Sequence, residues 1–360
     1  MQMINTNPII RTLLLPFSWA FALVVWVRNL CYDKGILPSR SFDIPIVSVG
    51  NLAVGGTGKT PHIEYLVQQL SPNFKIAVLS RGYKRKTKGF VLANETSDAH
   101  SIGDEPFQIF RKFENVIVAV DEKRVRGIKR LLLAHPDIAC ILLDDAFQHR
   151  AVQPGYNIIL TDYNKLYNTD KLLPAGTLRE PKSAALRADA IVVTKCPAHL
   201  KPIDTRIVEG ELRPAAYQKL FFSTFEYGAI YPLFQNDVQT LPHDNCSMYF
   251  VAGIVNPKPA FDQLALHYNV EATSFFPDHH NFGDKDFSNI NKTFAKIKTD
   301  NKFIVTTEKD ASRILSSTKF PVELKPYVFV LPIKVSFMFD DDNTLIKKID
   351  NYVRKNQRNG

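Results

Sequence analysis

The run IVSVGNLAVGGTGKTP at residues 46–61 constrains this chain more than any other part of it. A short apolar, β-rich stretch ends in a loop with Gly55, Gly56 and Gly58, followed at once by Lys59, Thr60 and a segment of helical pattern. That is the layout of a phosphate-binding loop. Glycines let backbone N–H groups turn inward around phosphate oxygens, and the helix N-terminus adds its dipole. The expected nucleotide-binding residues are therefore Gly55, Gly56, Thr57, Gly58, Lys59, Thr60 and Pro61. In this pattern Lys59 offsets β/γ-phosphate charge and the Thr60 hydroxyl holds Mg²⁺. Pro61 suits a first helical turn, where its missing N–H costs nothing. One position departs from the usual pattern: Ala53 stands where a glycine normally opens the loop, leaving Gly55 and Gly56 to make the tight turn.

Apolar runs at residues 75–83, 115–120, 137–145, 157–163 and 190–196 alternate with amphipathic segments, one of them at 122–134. Continuous apolar strands separated by helices predict a parallel sheet covered on both faces, with binding residues at the strands' carboxyl ends. From residue 217 the pattern changes. Residues 219–234 alternate and are rich in aromatics, as in an antiparallel ribbon, and residues 326–337 form another extended segment that could pair with them. Between these lies a second α/β pattern, with apolar runs at 247–254 and 302–314 and a helix near 259–268. The expectation is α/β: two α/β/α sandwich domains, the first a P-loop NTPase-like parallel sheet, joined by a two-stranded β linker. The expected boundaries are an N-terminal hydrophobic helix at 1–35, the P-loop domain at 36–216, a ribbon strand at 217–235, a second domain at 236–325, and a returning strand and helix at 326–360.

The chain has 360 residues, enough for two such domains, and a formal charge of +9. A basic balance fits nucleic acid, anionic lipid or a phosphorylated substrate without choosing among them. No basic run interleaved with aromatics suggests a nucleic-acid face. The densest cluster, Lys84-Arg85-Lys86 with Lys88, reads either as a solvated loop or as an anion site. Four widely spaced cysteines imply neither a disulfide framework nor a zinc site, which points to a reducing cytosol. Residues 12–27 carry no charge and hold both tryptophans, Trp19 and Trp26, between Arg11 and Arg28. The run is shorter than the ~20 residues of a spanning helix, and Pro16 interrupts it. A helix lying in the membrane interface explains it, and a buried core helix is the alternative.

At the end of the run ILLDD (141–145), Asp144 and Asp145 sit where an acid completes a Mg²⁺ shell, although adjacent aspartates also serve as caps. Gln148 and His149 follow in the same segment and are candidates to contact nucleotide or substrate. So are Arg179 and Glu180, in the charged loop LLPAGTLREP (172–181). Asp104, in GDEP (103–106), fits a helix N-cap. Asp278-His279-His280 could supply metal ligands, but no further His or Cys cluster accompanies it.

SVGNLAVGGTGKTP (48–61), SRGY (80–83), GDEP, DDAFQHR (144–150), LLPAGTLREP, FPDHHNF (276–282) and TTEKDASR (306–313) occur in one order along most of the chain. Together they resemble the tetraacyldisaccharide 4′-kinases, the lipid A 4′-kinases of Gram-negative bacteria; the one mild departure is Ala146, where that family usually has Gly. The resemblance implies phosphoryl transfer from ATP, with Mg²⁺, to the 4′-hydroxyl of a tetraacylated glucosamine disaccharide 1-phosphate, the lipid A precursor. It places the enzyme at the cytoplasmic face of the inner membrane, with no nucleic-acid or obligate protein partner. It also assigns catalysis to Asp104 and His279, which lie in different domains and are expected to pair only on domain closure. The rival reading is a membrane-associated P-loop switch ATPase of the partitioning type, whose loop opens with a lysine that is Val54 here.

Overall fold

The computed structural model describes residues 8–234, 242–243, 246–339 and 341–356. The domain boundary expected at 235–236 lies outside them.

Strands β1 (Ile46–Asn51), β2 (Ile76–Ser80), β3 (Val91–Leu92), β4 (Ile117–Val120), β5 (Cys140–Asp144), β6 (Tyr156–Asp162), β7 (Ala190–Thr194) and β8 (Lys219–Tyr227) build the first sheet. The second comprises β9 (Tyr231–Pro232), β10 (Ser247–Ala252), β11 (Asn269–Phe275), β12 (Lys302–Thr307) and β13 (Val328–Leu331). A last strand, β14 (Ile333–Phe337), returns to the first sheet. The orders are β14-β8-β7-β6-β1-β5-β2-β4-β3 and β11-β10-β12-β13-β9. Every residue of β1, β2, β5, β7 and β10 is buried, as continuous apolar runs require when helices cover both faces of a parallel sheet.

The expected two-stranded linker is present, and its strands also belong to the two sheets. β8 pairs antiparallel with β14 but also parallel with β7, so both strands extend the first sheet. β9 and β13 pair antiparallel at the edge of the second. Each connection therefore runs from one sheet into the other and bends at Gly228 and Pro332, where Gly228 N–H donates to the Pro332 carbonyl at 3.1 Å. Proline has no N–H for a sheet ladder, which explains why the strand breaks there.

At the N-terminus stand α1 (Pro8–Leu13) and α2 (Leu15–Asp33). Pro16 does not interrupt α2 but lies in its first turn, where proline is tolerated. Among the described residues, α2 is the one helix long and apolar enough to cross a membrane. Only Ser18 and Val25 of it are buried, which rules out a core helix. Trp19 is 69% exposed and Trp26 57%, with Phe17, Leu23 and Val24 also outward. The opposite edge is polar: Ser18 donates to the Leu172 carbonyl at 3.1 Å and Arg28 to Gln148 at 2.5 Å, and Arg11 on α1 donates to Ala175 at 3.0 Å.

The first sheet is flanked by α3 (Lys59–Leu70), the short α4 (Ala99–Ile102), α5 (Asp104–Lys112), α6 (Arg124–Ala134) and α7 (Pro202–Leu212). The second carries α8 (Lys258–Leu264), α9 (Asp284–Lys296) and α10 (Glu308–Leu315), while α11 (Asp341–Asn356) returns to α3. Helices α5 and α10 join the two units. Lys112, ending α5, bridges Glu64 on α3 at 2.6 Å and Glu308 on α10 at 2.7 Å. Ala99 N–H donates to Ser316 at 2.9 Å.

Candidate active site

β1 feeds the glycine loop and α3 leaves it. Gly58, the N-cap of α3, has φ 86°, a left-handed conformation suited to glycine. A Cβ there would also stand 2.5 Å from Phe225 Cζ, whereas nothing lies within 4 Å of one at Gly55 or Gly56. The loop is thus closed on one side by β8 and open on the other. Asn51 Nδ2 donates to Thr57 Oγ1 at 2.8 Å and Thr57 N–H to the Gly55 carbonyl at 3.1 Å, tightening the turn that Ala53 cannot supply. Lys59, Thr60 and Pro61 form the first turn of α3. The loop 172–181 lies alongside: Val54 N–H donates to Thr177 and Arg179 N–H to Leu52, each at 2.7 Å.

β5 ends at Asp144, which pairs in register with Val49 of β1. Asp144 is 1% exposed, and neither carboxylate oxygen has a hydrogen-bond partner. Burial, then Glu105 and Asp145, push its pKa up to about 7. An unpartnered buried carboxylate is costly unless a ligand uses it. Asp145, at φ 47°, turns back toward the loop. Burial alone would raise its pKa, but Lys59 at 3.8 Å and Arg179 at 2.8 Å pull it below the usual value. Oxygen donors from Asp144, Asp145 and Thr60 suit Mg²⁺. Among the described residues no three His, Cys, Asp or Glu side chains form a metal cage, so phosphate and water oxygens would have to complete the shell, as Mg²⁺ prefers.

Gly103, not Asp104, is the N-cap of α5, at φ 96°. The Asp104 carboxylate is therefore free of the capping role and faces the second unit. Its Oδ2 lies 3.2 Å from His279 Nδ1 and accepts from Arg313 Nε at 2.8 Å, across 175 and 209 positions of chain. Burial opposes ionisation of Asp104, but the hydrogen bond to His279 and the charge of Arg313 outweigh it and lower its pKa. The pair is made across the two units in this structure. Arg313, anchored on Asp310 at 2.8 Å and the Gly253 carbonyl at 3.1 Å, carries the second unit to Asp104. Glu105, next in the chain, acts on the ionisation of Asp144.

The four residues considered for substrate contact have distinct surroundings. Gln148 donates to the Asn51 carbonyl at 2.8 Å. Arg179 holds Asp145 with both terminal nitrogens and also Asn51. Glu180 is 0% exposed, with one oxygen on Arg28 at 3.3 Å and the other on Arg187; as placed, it is a strut between α2 and the site. His149 is half-buried, and burial, then the charges of Arg124 and Arg81, lower its pKa to about 4. Sequence reasoning passed over Arg28, Arg124, Lys309 and Arg313. For the last two the signal was present: in TTEKDASR they stand four apart, one turn of α10. In the basic cluster, Arg85 is tied to Glu122 while Lys84, Lys86 and Lys88 are exposed.

A parallel sheet with a glycine loop, a lysine opening the next helix and acids ending the adjacent strand defines a P-loop phosphotransferase, here closed by a second α/β unit. Residues 10–354 match the family model described as LpxK, tetraacyldisaccharide-1-P 4′-kinase, and the chain belongs to that family. It is 46% identical over 357 residues to the tetraacyldisaccharide 4′-kinase of Bacteroides thetaiotaomicron, covering 96% of this chain and 94% of that one. With the enzyme of the same name from Flavobacterium johnsoniae it shares 43% identity, over 97% and 98% of the two chains. Among solved structures, the crystal structure of LpxK from Aquifex aeolicus in complex with ATP superposes with TM-score 0.72 at 29% identity, over 95% and 99%. The partitioning-type alternative is set aside by these matches.

Proposed function

We propose that the chain transfers the γ-phosphoryl group of ATP to the 4′-hydroxyl of a tetraacylated glucosamine disaccharide 1-phosphate, a step of lipid A assembly. The observation that carries this reading is the Asp104–His279 pair at 3.2 Å, in a chain with a phosphate loop and of the family just named. Lys59 offsets charge on the migrating group, and the backbone N–H groups of 55–60 cradle the phosphates. Mg²⁺, held by Thr60 and by Asp144 or Asp145, would neutralise phosphate charge as it accumulates. His279 accepts the hydroxyl proton, and Asp104 orients the ring and stabilises the imidazolium. Arg179 fixes Asp145, and Gln148 supports Asn51 behind the loop.

The apolar face of α2 meets the lipid. We place the enzyme at the cytoplasmic face of the inner membrane as a peripheral or monotopic protein, since exposed Trp19 and Trp26 suit the bilayer interface. Incubation with γ-labelled ATP, the disaccharide 1-phosphate in detergent and Mg²⁺, followed by thin-layer separation, tests the whole reading. Label in the lipid from wild type but not from Lys59→Ala supports it. ATP turnover that ignores the lipid acceptor refutes it.

A further inference from the structure

The motif TTEKDASR aligns two cations on one face of α10, and both reach the same imidazole. Lys309 Nζ lies 3.2 Å from His279 Nε2, and Arg313 Nη2 lies 3.3 Å from Nδ1. We propose that Lys309 is a positioning residue that fixes the tautomer of His279, placing the ring proton on Nδ1 and the lone pair on Nε2. The proposal rests on the reading of His279 as proton acceptor.

A lysine ammonium has only donors, so a hydrogen bond from it requires Nε2 to accept. The neutral ring must then carry its proton on Nδ1, where Asp104 Oδ2 accepts it at 3.2 Å. In this tautomer Arg313 keeps its hold on Asp104 through Nε at 2.8 Å and gives up its hydrogen bond to Nδ1 at 3.3 Å. The opposite tautomer would let Nδ1 accept from Arg313 Nη2, but it fails at Nε2 and at Asp104. It would aim an N–H at the ammonium, and the nearest acceptor, Asp278 Oδ2, is 3.6 Å away, beyond hydrogen-bond range. Asp104 would then lose its ring donor. Lys309 is itself held in place: its side chain is 23% exposed and donates to Asp278 Oδ1 at 3.0 Å, an oxygen that also accepts from His279 N–H at 3.1 Å. Two carboxylates and two cations thus surround the imidazole, and the helix face decides which nitrogen is basic.

The consequence for the reaction is direct. The hydroxyl oxygen bonds to the γ-phosphorus as the bond from that phosphorus to the ADP oxygen breaks, the electron pair leaving with ADP. The hydroxyl proton passes to Nε2, which has a lone pair only in the selected tautomer. The incoming hydroxyl takes the ammonium's place at Nε2.

Full-length protein with ¹⁵N-labelled histidine in detergent tests this by long-range ¹H–¹⁵N correlation, which separates the two tautomers; the His279 signals are those that vanish in His279→Gln. The wild type should show Nδ1–H. Lys309→Met should populate Nε2–H and lower kcat by roughly 10–10²-fold, with KM for ATP and lipid within about twofold of wild type. Lys309→Arg, donor-only as well, should keep the tautomer and recover most of kcat. A wild-type tautomer pattern in Lys309→Met, or wild-type kcat in that variant, overturns the proposal. If His279→Gln itself transfers phosphate normally, it is the proton-acceptor reading that fails.

Discussion

Replacing Asp104 with Asn keeps the side chain's shape and removes its charge. Two unit charges 3.2 Å apart are worth about 5 kcal/mol at an effective dielectric near 20. Arg313 Nη2, 3.3 Å from the same ring nitrogen, repels the imidazolium by about as much at that dielectric, so without the Asp104 charge this repulsion stands uncompensated as the imidazolium forms. With misorientation of the ring added, kcat should fall by roughly 10²–10⁴-fold, the range for loss of general-base assistance. Nucleotide affinity should hardly move, because Asp104 stands outside the glycine loop. The fold should survive, since Arg313 retains Asp310 at 2.8 Å. Saturating label-transfer kinetics and separate equilibrium binding of ATP measure the two effects. The cycle closes with Asp104→Asn/His279→Gln: residues acting as a unit should leave the double variant no worse than the poorer single. Losses that multiply would refute the idea of one proton-accepting unit and return Asp104 to an independent role.

Asp144 carries a pH prediction. Its pKa in the fold, about 7, lies well above the ordinary carboxylate range, so the folded state binds this proton more tightly and loses stability as pH climbs from that range to about 7. Asp144→Asn should therefore flatten that loss in urea melts while lowering Mg²⁺-dependent turnover; an unchanged pH slope would show that the buried carboxylate is not its source. Trp19→Glu/Trp26→Glu should weaken sedimentation with anionic vesicles at an unchanged melting temperature, both side chains being more than half exposed; undiminished sedimentation would count against α2 as the lipid contact. Gly58→Ala combines a left-handed φ with a contact 2.5 Å from Phe225, and should cost about 1–2 kcal/mol of stability from the backbone alone and most nucleotide affinity. Wild-type ATP binding in that variant would mean that the loop turns differently.

What could be read from the chain is what the chain holds locally. The glycine loop, Lys59 and Thr60 are consecutive, and backbone conformation plus one helix start are enough to make a phosphate site. Apolar runs such as 140–144 and 190–194 announce a buried parallel sheet, because strands covered on both faces admit almost nothing polar. The outward Trp19 and Trp26, flanked by basic residues, likewise announced a surface helix. Tertiary structure alone decided matters that depend on distant partners. Nothing near Glu180 foretells Arg28 and Arg187 closing on its two oxygens, and nothing near residue 227 says that its strand will join β7 as well as β14. Asp104 read as a helix cap until Gly103 took that position. Its pairing with His279 was implied by the family resemblance, but that Lys309 and Arg313 join them depends on α5 packing against α10. A carboxylate, an imidazole and two cations from separate segments acquire their chemistry only at hydrogen-bond range, and that range is set by packing between elements whose separation along the chain carries no trace of it.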